Sequence, residues 1–231
     1  MSMNDNPYLG VGIYSVPEAA RLTGVNARRI RRWLRGYTFS SGQEGRSSTP
    51  VWVRQLPIVQ DHLALGFRDL MEVRFVNAFR GHGVSWPTLR RAAERAHEIV
   101  RGDHPFCTKA FRTDGRSIFA EVIDETGETS LLDVVRNQYA FKKILEPYLY
   151  RGIEFDQEGV PARWWPLGRK RRVVLDPMRS FGQPIVSREG VPTSILAQAF
   201  EIEQSVEVVA DWYEVDPVSV QDAIAFEISA A

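Results

Sequence analysis

The sequence has 231 residues, of which 44% are hydrophobic and 25% are charged. This composition is that of a globular protein, and it excludes collagen-like, low-complexity and fully disordered chains. No apolar run approaches the ~20 residues that cross a bilayer, and the first 14 residues lack a secretory signal, so we expect a cytoplasmic protein with no membrane partner. The single cysteine, Cys107, predicts neither a disulfide framework nor a zinc site, and no cofactor is expected.

The net charge of zero hides two oppositely charged halves. Residues 1–118 carry 18 basic and 10 acidic side chains, whereas residues 119–231 carry 11 basic and 19 acidic ones. The contrast is strongest at the two ends, because residues 1–60 have eight basic and three acidic residues while residues 173–231 have two and ten. A nucleic acid would therefore bind at the N-terminal end.

Two helix-start signals near the N-terminus predict a helix-turn-helix. Ser15 is a good cap, Pro17 suits a first helical turn, and Glu18 completes a capping box. Gly24 can end this first helix, and Asn26 can cap a second helix over residues 27–35. Val25 then lies in the turn as an apolar plug between the two helices.

Arginine dominates the second predicted helix. At about 100° per residue, Arg28, Arg32 and Arg35 lie opposite the apolar arc of the helix, and Arg29 and Arg31 flank them. Five like charges so close together repel one another, and a DNA backbone in the major groove would relieve that repulsion. A solvated basic face with no ligand is the alternative interpretation.

The segment after this helix is rich in glycine and serine, and residues 51–54 alternate like a short strand. This pattern is typical of a wing, in which Arg46 and Arg54 would reach phosphate, although a plain loop would have the same composition. The candidate DNA-contacting residues are Asn26, Arg28, Arg29, Arg31, Arg32, Arg35, Arg46 and Arg54.

The run from Tyr14 to Val25, followed by an arginine-rich helix, resembles the winged helix-turn-helix of MerR-type regulators. The resemblance implies that the second helix and the wing contact DNA, through Arg28, Arg32, Arg35 and Arg54. The tyrosine pair usual in that family is replaced by Trp33 and Leu34. Helical patterns over residues 66–83 and 88–100 predict the helix pair that often follows the wing in these regulators.

The remainder of the middle region predicts a mixed α and β structure. Strand-like residues 109–112 and 117–122 flank an Asp-Gly turn and predict a β-hairpin, and residues 138–150 read as a helix. The basic run 168–172 is the best candidate for a linker, either a solvated hinge or a contact for nucleic acid or an acidic partner.

The acidic segment 173–231 predicts three short helices that share a core. Thr193, Ser205 and Asp216 are their expected N-caps. The order of turns and caps is similar to the domain-of-unknown-function family 433, whose members are found in VapB-like antitoxins. Because this segment has two basic and ten acidic residues, its charge argues against a second DNA-binding domain despite its helix-turn-helix-like pattern.

These features predict a mainly α fold with small β elements. A winged helix-turn-helix would occupy residues 1–60, a central α+β region for linkage or dimerisation residues 61–172, and an acidic helical domain residues 173–231. The two resemblances imply an antitoxin that binds operator DNA and neutralises a PIN-like, metal-dependent ribonuclease toxin. Because a single recognition helix buries little surface, we expect a homodimer or a higher oligomer. Arg179 and Arg188 are the candidate cations for insertion into the carboxylate-rich site of that toxin.

Two other functional classes make different demands on the sequence. A stand-alone MerR-like regulator would bind a small molecule in the middle region, which contains Trp52, Trp86, Trp164 and Trp165. An enzyme is not expected, because the sequence has no phosphate loop or nucleophile motif. Its histidines are also scattered without metal-ligand spacing, at His62, His82, His97 and His104.

Overall fold

The computed structural model describes residues 8–41, 44–81, 83–100, 102–126 and 149–230. These residues are mainly helical with small antiparallel sheets, which confirms the expected fold class at that level. They form two compact units, each discontinuous in sequence. The first unit contains the described part of residues 15–150 and Phe155–Pro161, and the second contains residues 8–14, Arg151–Glu154 and 162–230. No helix within the described ranges is both long enough and apolar enough to span a bilayer.

The first unit is built mainly from five helices among its described residues. The chain enters it at β1 (Tyr14–Ser15). The following elements are α1 (Val16–Thr23), α2 (Ala27–Arg35), β2 (Tyr37–Ser41), β3 (Glu44–Ser48), β4 (Ala64–Leu65), α3 (Phe67–Gly81), α4 (Trp86–Val100) and α5 (Lys109–Thr126). Both helices predicted on either side of the Gly24 turn are present, as is the predicted pair α3 and α4.

The β-hairpin predicted over residues 109–122 is wrong, because the chain forms the single helix α5 there. Phe111, Ile118 and Val122 are all buried, at spacings of seven and four that suit one face of a helix. The local Asp-Gly turn signal is overridden by this burial. Residues 138–148 of the predicted middle helix lie outside the described part of the chain.

The strand predicted at residues 51–54 is also wrong, and the antiparallel ladder lies earlier, between β2 and β3. Residues 51–54 are instead anchored by Trp52, which is buried and whose indole Nε1 donates to Asp69 Oδ1 at 2.8 Å. The alternation of apolar residues at 51–54 therefore belongs to an anchored loop and not to a β-strand.

Two fully buried carboxylates of α3 fasten loops to the core of the first unit. Asp69 accepts hydrogen bonds from Trp52, from the backbone N–H of Gly66 at 2.9 Å and from His104 Nε2 at 2.8 Å. Glu72 accepts from the backbone N–H groups of residues 106 and 107 at 2.9 and 3.0 Å. Burial raises the pKa of Glu72 to about 7, against the lowering effect of these donors and of His104.

The second unit combines a four-stranded sheet with three helices. Its strands are β5 (Ile153–Phe155), β6 (Pro161–Trp164), β7 (Val173–Leu175) and β8 (Pro184–Val186), in that spatial order. A 3-10 turn (Ser180–Gly182) precedes β8, and the helices are α6 (Thr193–Glu203), α7 (Val206–Trp212) and α8 (Pro217–Ala230). Val186, Leu196, Val209 and Val220 belong to one buried cluster, so the three predicted helices do share a core.

Two of the three predicted caps in this unit are confirmed. Ser205 accepts from the backbone N–H of residue 208, and Asp216 Oδ1 accepts from that of residue 218 at 2.9 Å. The predicted cap at Thr193 is wrong, because this residue is already helical and its hydroxyl lies 3.3 Å from the Pro184 carbonyl oxygen and close to the Glu227 carboxylate. The hydroxyl therefore ties α6 to β8 and α8.

Residues 8–14 complete the second unit from the other end of the chain. The buried hydroxyl of Tyr14 donates to the Gly182 carbonyl at 2.7 Å, and the backbone N–H of Ile13 donates to the Phe181 carbonyl at 2.9 Å. A side chain at position 182 would collide with the Tyr14 hydroxyl, 2.4 Å from an added Cβ. This close approach explains why a glycine stands there.

Candidate nucleic-acid interface

The predicted capping residues define both ends of α1. Ser15 Oγ accepts from the backbone N–H of Glu18 at 3.3 Å, and Glu18 Oε2 accepts from that of Ser15 at 2.8 Å, which is a complete capping box. Gly24 ends the helix with φ 67°, in the left-handed region that favours glycine. Val25 is buried in the turn, as the sequence predicts.

The orientation of α2 is fixed by its apolar side. Asn26 Oδ1 accepts from the backbone N–H of Arg28 at 2.9 Å and caps the helix, which commits the Asn26 side chain to the fold. Ile30, Trp33 and Leu34 are buried beneath the helix. Five arginines of α2 are exposed, namely Arg28, Arg29, Arg31, Arg32 and Arg35.

These arginines differ in what already holds them. Among the residues that the structure describes, no ion pair or hydrogen bond engages the guanidinium of Arg28, Arg29 or Arg31. Arg35 instead pairs with Asp61, with 3.0 Å between Nη1 and Oδ1, and also donates to the Asp61 backbone carbonyl. Arg35 is therefore less available to a phosphate than its neighbours.

The two arginines of the predicted wing have different placements. Arg54 is half-buried, and its Nη1 donates to the Leu34 carbonyl at 2.9 Å, so it satisfies a backbone acceptor at the C-terminal end of α2. Arg46 lies in β3 opposite Phe39, and its side chain falls outside the described part of the structure. The structure thus gives Arg54 a positioning contact that its sequence environment does not reveal.

The basic run 168–172 is not a solvated hinge, which corrects that prediction. Its arginines pair with carboxylates of the second unit: Arg169 with Glu154 at 3.4 Å, Arg171 with Asp222 at 2.7 Å and Arg172 with Asp216 at 2.8 Å. The Asp222 carboxylate is buried and also accepts from the Arg172 backbone N–H at 2.8 Å. The Arg172 guanidinium lowers the pKa of Asp216.

The two candidate toxin-binding cations also differ. Arg179 is half-buried, and its Nη1 donates to the Ser187 carbonyl at 2.5 Å, which braces the loop before β8. Arg188 is exposed, in the turn that follows β8. Of the two, Arg188 is the one whose side chain faces solvent.

The tryptophans suggested for ligand binding, and the histidines, have the following placements. Trp52 and Trp164 are buried, and Trp52 and Trp86 belong to the first unit whereas Trp164 and Trp165 belong to the second. His104 is hydrogen-bonded to Asp69. The Nδ1 atoms of His62 and His97 each lie 2.9 Å from a backbone carbonyl oxygen. His82 lies outside the described residues, and no group of metal-ligating side chains occurs among those described.

A surface property that sequence reasoning missed distinguishes the second unit. The large apolar side chains that are more than 60% exposed in the described ranges all belong to it, namely Leu9, Met178, Phe181, Ile202, Trp212 and Ile228. Phe181 has φ 52° and ψ 28°, a left-handed conformation that costs energy for an aromatic residue. Composition gives no signal for this exposure, because a count of apolar residues does not distinguish those on the surface from those in a core.

The chain is similar over nearly its whole length to a named protein and to a solved structure. It is 29% identical, over 230 residues, to a protein of Mycobacterium tuberculosis (strain ATCC 25618 / H37Rv) named "Putative antitoxin VapB45", with 93% of each chain covered. Its structure matches the crystal structure of Rv2018 from Mycobacterium tuberculosis with a TM-score of 0.72 and 29% sequence identity, covering 94% of this chain and 98% of that chain. No protein-family model matches the chain.

Proposed function

We propose that the protein is a VapB-type antitoxin of a toxin-antitoxin system that binds operator DNA through its first unit and a toxin through its second. The similarity to "Putative antitoxin VapB45", which covers 93% of both chains, supports the antitoxin role. The observation that carries the DNA-binding part is the row of five exposed arginines on α2, a helix held by the buried residues Ile30 and Leu34. The role requires no catalysis by the chain and no cofactor.

In this proposal α2 enters the major groove as in MerR-type regulators. Arg28 lies on the side of α2 opposite its buried residues and Arg31 flanks that side, where a guanidinium can bridge phosphate oxygens or a guanine edge. The β2–β3 hairpin is the wing beside it. A single short helix buries little DNA, so we propose a homodimer that reads a palindromic operator with two copies of α2.

The second unit is proposed to bind the toxin. The described residues of this unit carry eight basic and eleven acidic side chains, ten of the acidic ones within residues 173–230, and the unit also exposes Met178, Phe181 and Trp212. Aromatic and methionine side chains are enriched at protein interfaces, and a carboxylate-rich surface favours a basic partner surface. The exposed Arg188 is the candidate cation for the carboxylates that hold magnesium in a PIN-like ribonuclease.

A gel-shift titration tests DNA binding. The full-length protein is incubated with the DNA upstream of its own coding region and, as a matched control, with a scrambled fragment of equal length. We expect retardation of the upstream fragment, and a logarithmic affinity that falls linearly with the logarithm of salt at about 0.9 per phosphate contacted. Absence of any retardation in dilute buffer would contradict the proposal.

Co-expression tests the antitoxin role. The full-length protein is expressed with the product of the adjacent reading frame, which the proposal requires to be a small ribonuclease, and growth is compared with that of cells expressing that product alone. We expect rescue by the wild type and weaker rescue by Phe181→Asp, which places a charge at an exposed apolar position, with DNA affinity unchanged. If the ribonuclease is not bound, and operator affinity responds to a metabolite alone, the stand-alone regulator is the correct function.

A further inference from the structure

We propose that the first unit binds a small phosphorylated ligand with a planar ring, of the nucleoside phosphate class, in a cavity beside α2. The cavity has a volume of about 460 Å³, within the range of small-molecule sites. It is lined by Arg29, Arg32, Trp33, Val51, Asn77, Arg80, Gly81, Trp86 and Arg90. These residues come from α2, α3, α4 and the loop before residue 52, all within one unit.

The charge of the lining selects an anion. Of the nine described residues that line it, four are arginines and none is acidic. Arginine stays protonated at every physiological pH, so these side chains repel one another around the cavity. Guanidinium groups bind phosphate oxygens through paired, charge-assisted hydrogen bonds, and a phosphate among them would convert this repulsion into attraction.

Two of the arginines make contacts with neutral groups. The Arg80 guanidinium lies 5.0 Å from the ring centroid of Trp86, and its Nη1 donates to the Val84 carbonyl. Arg90 Nη1 donates to Thr49 Oγ1 at 3.0 Å and contacts the Pro50 carbonyl at 3.4 Å. These contacts orient the side chains without adding a negative charge, which is the preorganisation that an anion site needs.

The remaining wall fits a planar ring rather than an isolated phosphate. Trp33 and Trp86 meet edge to face, with ring centroids 5.8 Å apart and an interplanar angle of 65°. The Asn77 amide adds one acceptor and two donors at the same cavity. Indole walls with an amide can hold an aromatic base, whereas a DNA backbone phosphate would need only the arginines.

The cavity shares side chains with the proposed DNA-binding helix. Arg29 and Arg32 are both exposed on α2 and both line the cavity, whereas Arg28 and Arg31 do not line it. A ligand that holds Arg32 removes one cation from the side of α2 that faces DNA. Resting on the proposed function, we infer that the ligand and the operator compete.

Calorimetric titration of the full-length protein tests the site without any DNA. The probes are AMP, GMP, CMP and UMP, with inorganic phosphate and the four unphosphorylated nucleosides as comparisons. We expect at least one nucleotide to bind at least tenfold more tightly than phosphate or its own nucleoside. Binding of no nucleotide at millimolar concentration would overturn the proposal, whatever the outcome of the gel shift.

Substitutions locate the binding. Arg29→Gln and Arg90→Gln are each expected to weaken nucleotide binding at least tenfold, whereas Arg95→Gln, on the solvent side of α4, leaves it unchanged. Because Arg29 has an exposed side chain, its variant keeps the test valid even if Arg90→Gln fails to fold. Nucleotide binding that survives both substitutions would place the ligand elsewhere and overturn the assignment.

A gel shift with added nucleotide distinguishes a free ligand from a DNA phosphate. If the cavity holds a nucleotide, the best-binding probe weakens operator binding by the wild type at least threefold and has no effect on Arg90→Gln. If Arg90→Gln instead loses operator affinity tenfold while no nucleotide binds, the cavity serves a DNA phosphate and the proposal is wrong.

Discussion

Two arginine-rich segments, α2 and residues 169–172, are similar in sequence, but several of their arginines have opposite surroundings. In α2 the guanidinium groups of Arg28 and Arg31 face solvent, with no ion pair to another residue of the described chain. In the second unit Arg171 and Arg172 reach Asp222 and Asp216 at 2.7 and 2.8 Å. The charges of Arg28 and Arg31 are thus left available for an external anion, whereas those of Arg171 and Arg172 are neutralised within their own unit.

The difference shows that a basic run acquires its role from the carboxylates within reach. The first unit keeps its two fully buried carboxylates, Asp69 and Glu72, occupied with backbone and ring donors rather than with arginines of α2. The second unit uses its arginines to compensate a buried carboxylate, Asp222. Each of the following variants breaks one side of this contrast.

The largest expected effect is on DNA binding by α2. Replacing Arg28, Arg31 and Arg32 together with alanine should weaken operator binding by at least about 100-fold, because each base-reading arginine contributes ~1–3 kcal/mol. Arg35→Ala is the matched single variant, and its effect should be smaller because Asp61 already neutralises it. Gel-shift titrations measure both. Tight operator binding by the triple variant would show that α2 does not read DNA.

The next prediction concerns Glu72, whose buried carboxylate is paired with no arginine among the described residues. The pKa of Glu72 is raised from 4.5 to about 7, so folding favours its protonated form. Its contribution to stability is therefore present below pH 4.5 and is lost as the pH rises through 7, by at most about 3 kcal/mol. Urea unfolding from pH 4.5 to 8 should show this decline, and Glu72→Gln should lack it. The exposed control Glu94→Gln should follow the wild type, and a Glu72→Gln profile equal to the wild type would contradict this account.

A smaller effect is expected when the compensated carboxylate loses its partner. Arg171→Met removes the ion pair between Arg171 and the buried Asp222 carboxylate, which keeps its hydrogen bond from the Arg172 backbone N–H. This loss should lower the unfolding free energy by roughly 2 kcal/mol. Arg169→Met removes a longer contact, 3.4 Å to Glu154, and should cost less than about 0.5 kcal/mol. Chemical denaturation compares the two. Equal losses of unfolding free energy in the two variants would contradict the idea that burial of the carboxylate determines the size of the loss.

The smallest effect concerns the strained exposed loop of the second unit. Phe181→Asn should stabilise the protein by about 0.5 kcal/mol, because asparagine tolerates φ 52° better than phenylalanine does. Met178→Asn, at another exposed position that has no positive φ, is the control and should bring no gain. Thermal unfolding measures both variants. Destabilisation by Phe181→Asn would show that the ring contributes packing within the unit.

Local signals in the sequence predicted the helices around α2 well. The capping residues Ser15 and Asn26 and the glycine at position 24 act within a few residues, so α1 and α2 begin and end as expected. The Asp-Gly pair at residues 114–115 is also a local signal, yet the burial of Phe111 and Ile118 in the surrounding unit overrides it and makes α5 a helix.

The candidate site was predictable only in its outline. The exposure of the α2 arginines follows from helical geometry, because Ile30 and Leu34 must face the core. The pairing of Arg35 with residue 61, of Arg54 with residue 34 and of Arg171 with residue 222 joins positions 26, 20 and 51 apart. No periodicity relates such distant positions, so the structure alone separates the available arginines from the committed ones.

The bond from Tyr14 to Gly182 has a consequence for synthesis of the chain. Its two partners are 168 positions apart, so the ribosome makes all of α1 and α2 long before the second unit can close. A chain terminated before residue 182 would contain the arginine helix and lack the contact that completes the other unit. Under the proposed function, a prematurely ended translation product would retain the helix for repression while leaving the toxin unrestrained.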